Sequence, residues 1–252
     1  MKGTIIGDII GSRFEFNNVR TENFELFTKH NSFTDDTICT IAVMDAILTE
    51  TYDYKGYLLK WCRKYPNPMG AYGGSFARWI FSEDPQPYNS FGNGAAMRVS
   101  PVAWAFDTPG EVISQAIATA SVTHNHPEGI KGAIATVHAI MTLRVCDTPD
   151  RMNELEHLYY DPSIRYKVGV FDETCQGTVP VALRIMRASQ SFEDAIRTTM
   201  RWGGDSDTLG AIVGGMAEAY FGVPEDIWET AKGYLPDEMV EIIDTFYRRF
   251  VL

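Results

Sequence analysis

The sequence predicts a single all-α domain, and three observations indicate this fold class. Apolar residues recur at the three- and four-residue spacing of an amphipathic helix in every long segment that can be tested. Strand patterns are scarce, and the best of them, residues 166–171, is short. No linker, internal repeat or block of like charge divides the chain.

The first half of the chain contains three predicted helices. Residues 3–11 resemble a helix with glycine at every fourth position, and close helix–helix packing is the simpler explanation of that spacing. Residues 38–48 are apolar on nearly every face, which predicts a helix buried in the middle of a bundle. Thr108, Pro109 and Glu111 match a capping box with proline in the first turn, and they predict a helix that runs toward residue 120.

The second half contains four more predicted helices. Pro127 can occupy the first turn of a helix with an apolar face over residues 130–141. Ser191 is a candidate N-cap for the next helix. Apolar stripes predict a further helix over residues 209–220 and a C-terminal one over residues 239–250. Longer irregular segments are predicted at about 51–101 and 145–180.

Composition excludes several classes of protein. The 252 residues contain 22 Lys+Arg and 33 Asp+Glu, a net charge of -11, and no basic run reverses this charge locally, so there is no strong nucleic-acid signal. The longest weakly polar stretch, residues 210–223, is interrupted by Glu218 and is too short to span a bilayer. No secretory signal is visible, and the four irregularly spaced cysteines fit reduced core thiols. These features predict a cytoplasmic protein without a membrane partner.

Carboxylates accumulate at the starts of the two most buried predicted helices. Residues 33–37 run directly into the helix near Ile38, and residues 203–208 run into the helix near Leu209. Capping a helix needs one Asp or Thr, whereas each of these starts has two aspartates and a threonine. Several carboxylates in apolar surroundings need a compensating cation, and oxygen ligands suit Mg²⁺ or Mn²⁺ better than zinc.

Convergence of the two helix starts would create a two-ion site. The six candidate oxygen donors are Thr34, Asp35, Asp36, Asp205, Asp207 and Thr208. Ordinary capping of two separate helices is the alternative, and the residues alone leave both interpretations open because one sequence does not show whether the two starts meet.

Three other segments are candidate ligand loops. Residues 90–98 can present backbone N–H groups to a phosphate, although a plain turn is the simpler interpretation of this segment taken alone. Residues 123–128 lead into a helix N-terminus, an anion-binding element, and their two histidines fit metal ligands, ligand contacts or caps. Asp8 and Glu15 lie two turns apart on one strip of the first helix, which close packing does not explain.

Five motifs, taken together and in order, resemble those of the ADP-ribosylglycohydrolase family. The resemblance extends from about Gly3 to Pro224. The motifs are Gly7-Asp8-x-x-Gly11 with Glu15, Thr34-Asp35-Asp36-Thr37, Gly92-Asn93-Gly94-Ala95-Ala96-Met97-Arg98, Thr123-His124, and Gly204-Asp205-Ser206-Asp207-Thr208-x-Gly210. One such motif is weak support, whereas five in the family order are specific.

The resemblance implies a compact single-domain orthogonal helical bundle over residues 1–252, with two Mg²⁺ or Mn²⁺ ions at the bottom of a cleft. The family's metal ligands correspond to the six residues already singled out as oxygen donors. The resemblance also assigns catalytic roles to Glu15 and Asp36, and Glu15 would position or deprotonate the attacking water.

Further residues receive ligand-binding roles from the same resemblance. In the family, the glycine-asparagine-glycine loop cradles the diphosphate of the ligand, and a looser match suggests a second loop that closes over the distal ribose. The corresponding residues are Ser90, Phe91, Gly92 and Asn93 in the first loop, Tyr72 and Gly74 in the second, and His124 near the phosphates or the adenosine.

The implied activity is hydrolysis of the glycosidic bond between ADP-ribose and an acceptor, either a protein side chain or a small molecule. Such cleavage passes through an oxocarbenium-like state. Asn89 and Ser90 stand where arginine-specific branches often have an acidic residue, which is closer to the branch that acts on serine-linked or O-acetyl ADP-ribose. The alternatives are a non-catalytic ADP-ribose-binding protein and a two-metal phosphohydrolase. The protein is expected to be a monomer.

Overall fold

Fourteen α-helices make up the regular structure of the computed structural model, which describes residues 1–252. They are α1 (Lys2–Gly11), α2 (Asp35–Leu48), α3 (Tyr54–Lys64), α4 (Gly74–Ile80), α5 (Gly94–Met97), α6 (Val102–Ala105), α7 (Pro109–Ser121), α8 (Pro127–Leu143), α9 (Arg151–Tyr159), α10 (Cys175–Ala188), α11 (Phe192–Trp202), α12 (Ser206–Phe221), α13 (Glu225–Lys232) and α14 (Asp237–Phe250). The only β pairing is one isolated bridge between Gly92 and Thr174. The predicted all-α fold is confirmed.

Side-chain caps determine where several helices begin. The Thr34 hydroxyl accepts the backbone N–H of Asp36 at the start of α2. Thr108 and Glu111 form the predicted capping box at the start of α7, and Ser191 caps α11 as expected. A side-chain oxygen at these positions satisfies an N–H group that has no partner within the helix.

Helices α1 and α12 cross with their backbones in direct contact. We call this contact the glycine seam: Gly3, Gly7 and Gly11 of α1 face Gly214, Gly210 and the start of α12. A Cβ atom added to Gly7 would lie 1.9 Å from the carbonyl oxygen of Gly210, so no larger residue fits there. The predicted close packing of Gly7 and Gly11 is confirmed, and the seam brings Asp8 to the start of α12.

One continuous core fills the molecule. A cluster of 64 buried apolar residues includes side chains from every helix, so the fourteen helices form one domain. Nearly every residue of α2 and α12 is buried, as the apolar pattern of residues 38–48 predicts for α2. The four cysteines are unpaired. No helix combines the length and apolar character that crossing a bilayer requires.

Two predictions about the irregular segments were wrong. Residues 166–171 are irregular around a turn at Val168 and Gly169 and form no strand, since no second strand is present to pair with them, and Val168 and Val170 are exposed. The segments at 51–101 and 145–180 contain α3, α4, α5, α9 and the first turns of α10. Helix α4 has seven residues, too few for a clear apolar period, whereas the buried residues Tyr54, Leu58, Trp61 and Cys62 of α3 do follow the helical spacing and were overlooked.

Candidate active site

The starts of α2 and α12 converge, although their residues are far apart in the chain. The hydroxyl of Thr208 donates to Oδ2 of Asp36 over 3.1 Å, a contact between residues 172 positions apart. The Thr34 hydroxyl lies 3.2 Å from the same Asp36 oxygen. Capping also occurs, since Thr34 caps α2, but Asp205 makes no side-chain cap bond at the start of α12. Capping alone therefore does not account for the aspartates.

Asp8 joins this group of carboxylates, although the sequence alone gave it no role. Its carboxylate accepts the backbone N–H groups of Thr34 (3.0 Å) and Thr37 (3.1 Å) and both of their hydroxyl groups. Asp8, Asp36 and Asp207 each place a carboxylate oxygen within 4.8 Å of the others. An aspartate flanked by Ile-Ile pairs in a fully buried helix is the sequence signal that indicates such a position.

We call the whole group the acidic cluster: Asp8, Glu15, Asp35, Asp36, Asp205 and Asp207. Burial, reinforced by repulsion from neighbouring carboxylates, raises the pKa of Asp35, Asp36 and Asp207 well above the usual range. Burial also raises the pKa of Asp8 to about 6, and burial with repulsion from Asp205 raises the pKa of Glu15 to about 7. No lysine or arginine forms an ion pair with any of them.

Three oxygen atoms of the acidic cluster are buried without a hydrogen-bond partner: Oδ1 of Asp36, Oδ1 of Asp207 and Oε2 of Glu15. Native proteins rarely leave a buried oxygen atom unpartnered, because its lost hydration is not replaced. Asp36 and Asp207 also belong to the group whose carboxylate oxygens lie within 4.8 Å of one another, and a donor set of oxygens without nitrogen or sulfur is the one that hard divalent cations prefer. The residues present therefore fit a Mg²⁺ or Mn²⁺ ion.

A cavity of about 340 Å³ has part of the acidic cluster in its wall. Most of the residues that the sequence singled out line it: Glu15, Asp35, Tyr72, Gly74, Ser90, Gly92, Asn93, His124, Asp205, Asp207 and Thr208. Thr34 and Asp36 are fully buried and do not line the cavity, and Phe91 is outside it. The Phe91 ring is 44% exposed and packs edge-on against His126, with 5.3 Å between the ring centroids.

The glycine-rich loop forms the wall beside His124. The N–H groups of Ser90 and Phe91 have no acceptor within the protein, whereas the N–H of Gly92 donates to the Ser90 hydroxyl over 3.1 Å. Two backbone hydrogen bonds fix the loop to the segment before α10: Phe91 O accepts the N–H of Cys175 (2.9 Å), and the N–H of Asn93 donates to Glu173 O (2.7 Å). Two free amides on a fixed loop suit an anion.

Two predicted ligand contacts have their polar groups occupied inside the protein. The Asn93 amide donates to Oδ2 of Asp205 over 2.7 Å and to the Thr178 hydroxyl over 3.1 Å, so it supports the acidic cluster. Tyr72 lines the cavity, and its hydroxyl donates to Tyr65 O over 2.7 Å. His126 has a structural position as well, since its ring accepts the N–H of Glu128 at the start of α8.

The chain is similar to known proteins of one family. A model of the family described as ADP-ribosylglycohydrolase matches residues 1–251. The chain is 25% identical to the ADP-ribosyl-[dinitrogen reductase] glycohydrolase of Rhodospirillum rubrum, over 88% of this chain and 84% of that protein. It is 23% identical to the ADP-ribosylhydrolase ARH3 of Homo sapiens, over 93% of this chain and 88% of that protein.

The fold is also found among solved structures. A protein described as an ADP-ribosylglycohydrolase-related protein complex superposes with a TM-score of 0.76. The aligned region is 22% identical and covers 98% of this chain and 95% of the other. At this level of identity the likeness shows a shared fold.

Proposed function

Because the chain belongs to the ADP-ribosylglycohydrolase family, we propose that it hydrolyses the glycosidic bond between ADP-ribose and an acceptor and releases ADP-ribose. One observation carries the proposal. The unpartnered oxygens of Glu15 and Asp207 and the Ser90 amide without an acceptor belong to residues that line one cavity, so the same space accommodates cations at one side and an anionic ligand at the other. The low identity to the named relatives leaves the acceptor open.

The acidic cluster is proposed to hold two divalent ions, Mg²⁺ or Mn²⁺. The proposed ligands are Thr34, Asp35, Asp36, Asp205, Asp207 and Thr208, and the unpartnered oxygens of Asp36 and Asp207 support the assignment. When bound, such ions orient hydroxyl groups and lower the pKa of a water molecule. Asp8 is proposed to position Thr34, because four donors from Thr34 and Thr37 already occupy its carboxylate.

Glu15 is proposed as the proton acceptor for the attacking water. Its Oε2 atom has no partner and its side chain lines the cavity, so the carboxylate is free to accept a proton from a water molecule there. Hydrolysis adds the water oxygen to the anomeric carbon, breaks the bond from that carbon to the acceptor and returns one proton to the leaving acceptor. Asp36 is proposed to act with Glu15 by fixing the cation side of the cavity.

The remaining proposed contacts bind the rest of the ligand. The free N–H groups of Ser90 and Phe91 are proposed to donate to the diphosphate, with Gly92, Asn93 and the His124 ring completing that wall. Tyr72 and Gly74 line the cavity on a separate segment and are proposed to cover the distal ribose. The proposed anion site consists of backbone amides and one neutral ring, so an acidic protein with a net charge of -11 can still bind a diphosphate there.

The test is product analysis by mass spectrometry. The purified protein is incubated with arginine-linked, serine-linked and O-acetyl ADP-ribose, with Mg²⁺ or Mn²⁺ and with a chelator. Release of ADP-ribose that stops in the chelator supports the proposal and identifies the acceptor. Formation of AMP and ribose phosphate would show a phosphohydrolase instead, and tight binding of ADP-ribose without any release would show a binding protein.

A further inference from the structure

Arg98 is a buried cation without an anionic partner. It follows α5, its exposed fraction is 0%, and no carboxylate forms an ion pair with it. It is also the only lysine or arginine among the residues that line the cavity. Burying an arginine without a counter-ion is costly, so its position calls for an explanation beyond packing.

The two hydrogen atoms on one Arg98 nitrogen are both directed at the segment before His124. Nη2 donates to the carbonyl oxygen of Thr119 and to the hydroxyl oxygen of Thr123, each over 2.8 Å. The Thr123 hydroxyl lies 2.7 Å from Nδ1 of His124. Arg98, Thr123 and His124 therefore form a chain of hydrogen bonds that ends at the cavity.

The direction of this chain follows from counting protons. The Thr123 hydroxyl has one hydrogen, and it already accepts a hydrogen from Arg98. Thr123 is fully buried, and the only acceptor within reach of its hydrogen is Nδ1 of His124. Nδ1 therefore accepts, and in a neutral imidazole the other nitrogen must then carry the proton.

We infer that Arg98, acting through the Thr123 hydroxyl, holds His124 as the tautomer with its proton on Nε2 and so directs a fixed hydrogen-bond donor at an anionic oxygen of the ligand. Nε2 makes no hydrogen bond within the protein and faces the glycine-rich loop, since a Cβ atom on Gly94 would lie 3.1 Å from it. That the oxygen belongs to a diphosphate rests on the proposed function. Arg98 and Thr123 are positioning residues, and His124 is the residue that touches the ligand.

The surroundings of His124 keep its ring neutral. Burial and then the positive charge of Arg98 lower the pKa of His124 well below its usual value. The ring of Tyr88 is also near, with 6.0 Å between its centroid and that of the imidazole. Burial raises the pKa of Tyr88 to about 12. The ring thus remains a single-proton donor and does not add a second cation next to Arg98.

The first test reads the tautomer directly. Long-range ¹H–¹⁵N NMR correlations of the ring should show Nδ1 without a proton and Nε2 with one in the wild-type protein, with no ligand present. Thr123→Val, which removes the hydroxyl and keeps the side-chain shape, should give a mixture of tautomers, and Thr123→Ser should restore the wild-type pattern. A wild-type ring with its proton on Nδ1 would overturn the inference.

The second test measures ADP-ribose affinity by calorimetry. Only rings with the proton on Nε2 can donate to the ligand, so the mixture of tautomers in Thr123→Val should raise the Kd about twofold, and Thr123→Ser should keep the wild-type Kd. Thr136→Val is the matched control, because Thr136 is equally buried and its hydroxyl bonds only to Gly132 O. An unchanged Kd in Thr123→Val would refute the role in binding.

The two tests also separate this inference from the proposed function. If wild-type protein did not bind ADP-ribose at all, the proposed function would fail and no role of His124 toward a diphosphate would survive. The tautomer measured by NMR in the ligand-free protein would still decide whether Arg98 and Thr123 position the ring. A Kd that rises equally in Thr123→Val and Thr136→Val would show a general effect of core substitution and would overturn the inference.

Discussion

The side-chain amide of Asn93 donates a hydrogen bond of 2.7 Å to Oδ2 of Asp205, and so joins the glycine-rich loop to the acidic cluster. The second hydrogen of the amide goes to Thr178, so both donors are used. Asn93 is itself buried. The loop proposed to bind the diphosphate and a proposed metal ligand are therefore held by one side chain.

This link predicts coupling between metal binding and ADP-ribose binding. In the wild-type protein we expect Mg²⁺ to tighten ADP-ribose binding, and ADP-ribose to tighten Mg²⁺ binding by the same factor. Asn93→Ala should reduce that factor as well as both affinities, which calorimetric titrations in both orders would measure. Equal coupling in wild type and Asn93→Ala would contradict the link.

Substituting one carboxylate of the acidic cluster should abolish activity and stabilise the metal-free protein. Asp36→Asn removes one charge from a crowded group and retains an oxygen that Thr208 can donate to. We expect no metal-dependent release of ADP-ribose, and a rise in Tm of roughly 3 °C in chelator. The same change at Asp45 is the control and should lower Tm, because Asp45 is paired with Lys60 and Trp61. Wild-type activity in Asp36→Asn would refute the site.

The metal-free protein should lose stability as the pH rises. The pKa of Glu15 is about 7 and that of Asp8 about 6 in the folded state, against about 4 in an unfolded chain. Between these values the folded protein binds more protons than the unfolded one, so the free energy of unfolding falls with increasing pH. We expect Tm in chelator to fall between about pH 5 and about pH 8, and saturating Mg²⁺ to remove most of the fall. A rise in Tm over this range in chelator is the contrary result.

Glu15→Gln should impair turnover more than binding. The amide cannot accept a proton from water, so kcat should fall about a hundredfold or more, while the Kd for ADP-ribose changes little. Steady-state kinetics and calorimetry separate the two quantities. Glu15 lies beyond the end of α1 at Gly11, so the prediction that it shares the first helix with Asp8 was wrong. Glu22→Gln is the control from the irregular segment that contains both glutamates, since Glu22 is exposed and pairs with Arg201 at 3.0 Å. A large loss of affinity with normal kcat would remove Glu15 from its proposed role.

A methyl group in the glycine seam should damage both stability and the site. Gly7→Ala would place a Cβ atom 1.9 Å from Gly210 O and force α1 away from α12. We expect a loss of about 3 kcal/mol in the free energy of unfolding by urea denaturation. Gly110→Ala in α7 is the control, because nothing lies within 4 Å of its added Cβ, and it should be neutral or slightly stabilising.

Much of the fold was predictable because the long helices have strong local signals. The uniform apolar pattern of residues 38–48 and the capping box at Thr108 give the position and burial of α2 and α7. Short helices such as α4 were missed because two or three aromatic anchors hold them and their periodicity is too brief to detect. The strand predicted at residues 166–171 failed because a strand needs a partner that the local sequence does not reveal.

For the candidate site, the sequence indicated residue types and the structure added their partners. Two aspartates at each helix start suggested a shared site, but only the contact from Thr208 to Asp36 shows that the starts meet. Asp8 and Arg98 were not assigned roles, because their positions depend on side chains that are distant in sequence. Asn93 was predicted as a ligand contact, and the structure adds that its amide bonds to Asp205. Hydrogen-bond direction is a property of the folded arrangement and has no local sequence signal.

The glycine seam has a consequence for natural variation in this protein. Backbone contact between α1 and α12 sets the spacing between Asp8 and Asp207, so the dimensions of the proposed metal site follow from the helix crossing. A change at Gly3 or Gly214, well away from the cavity, would therefore present in an assay as a catalytic defect. Distance from the ligand therefore understates the importance of positions in the glycine seam.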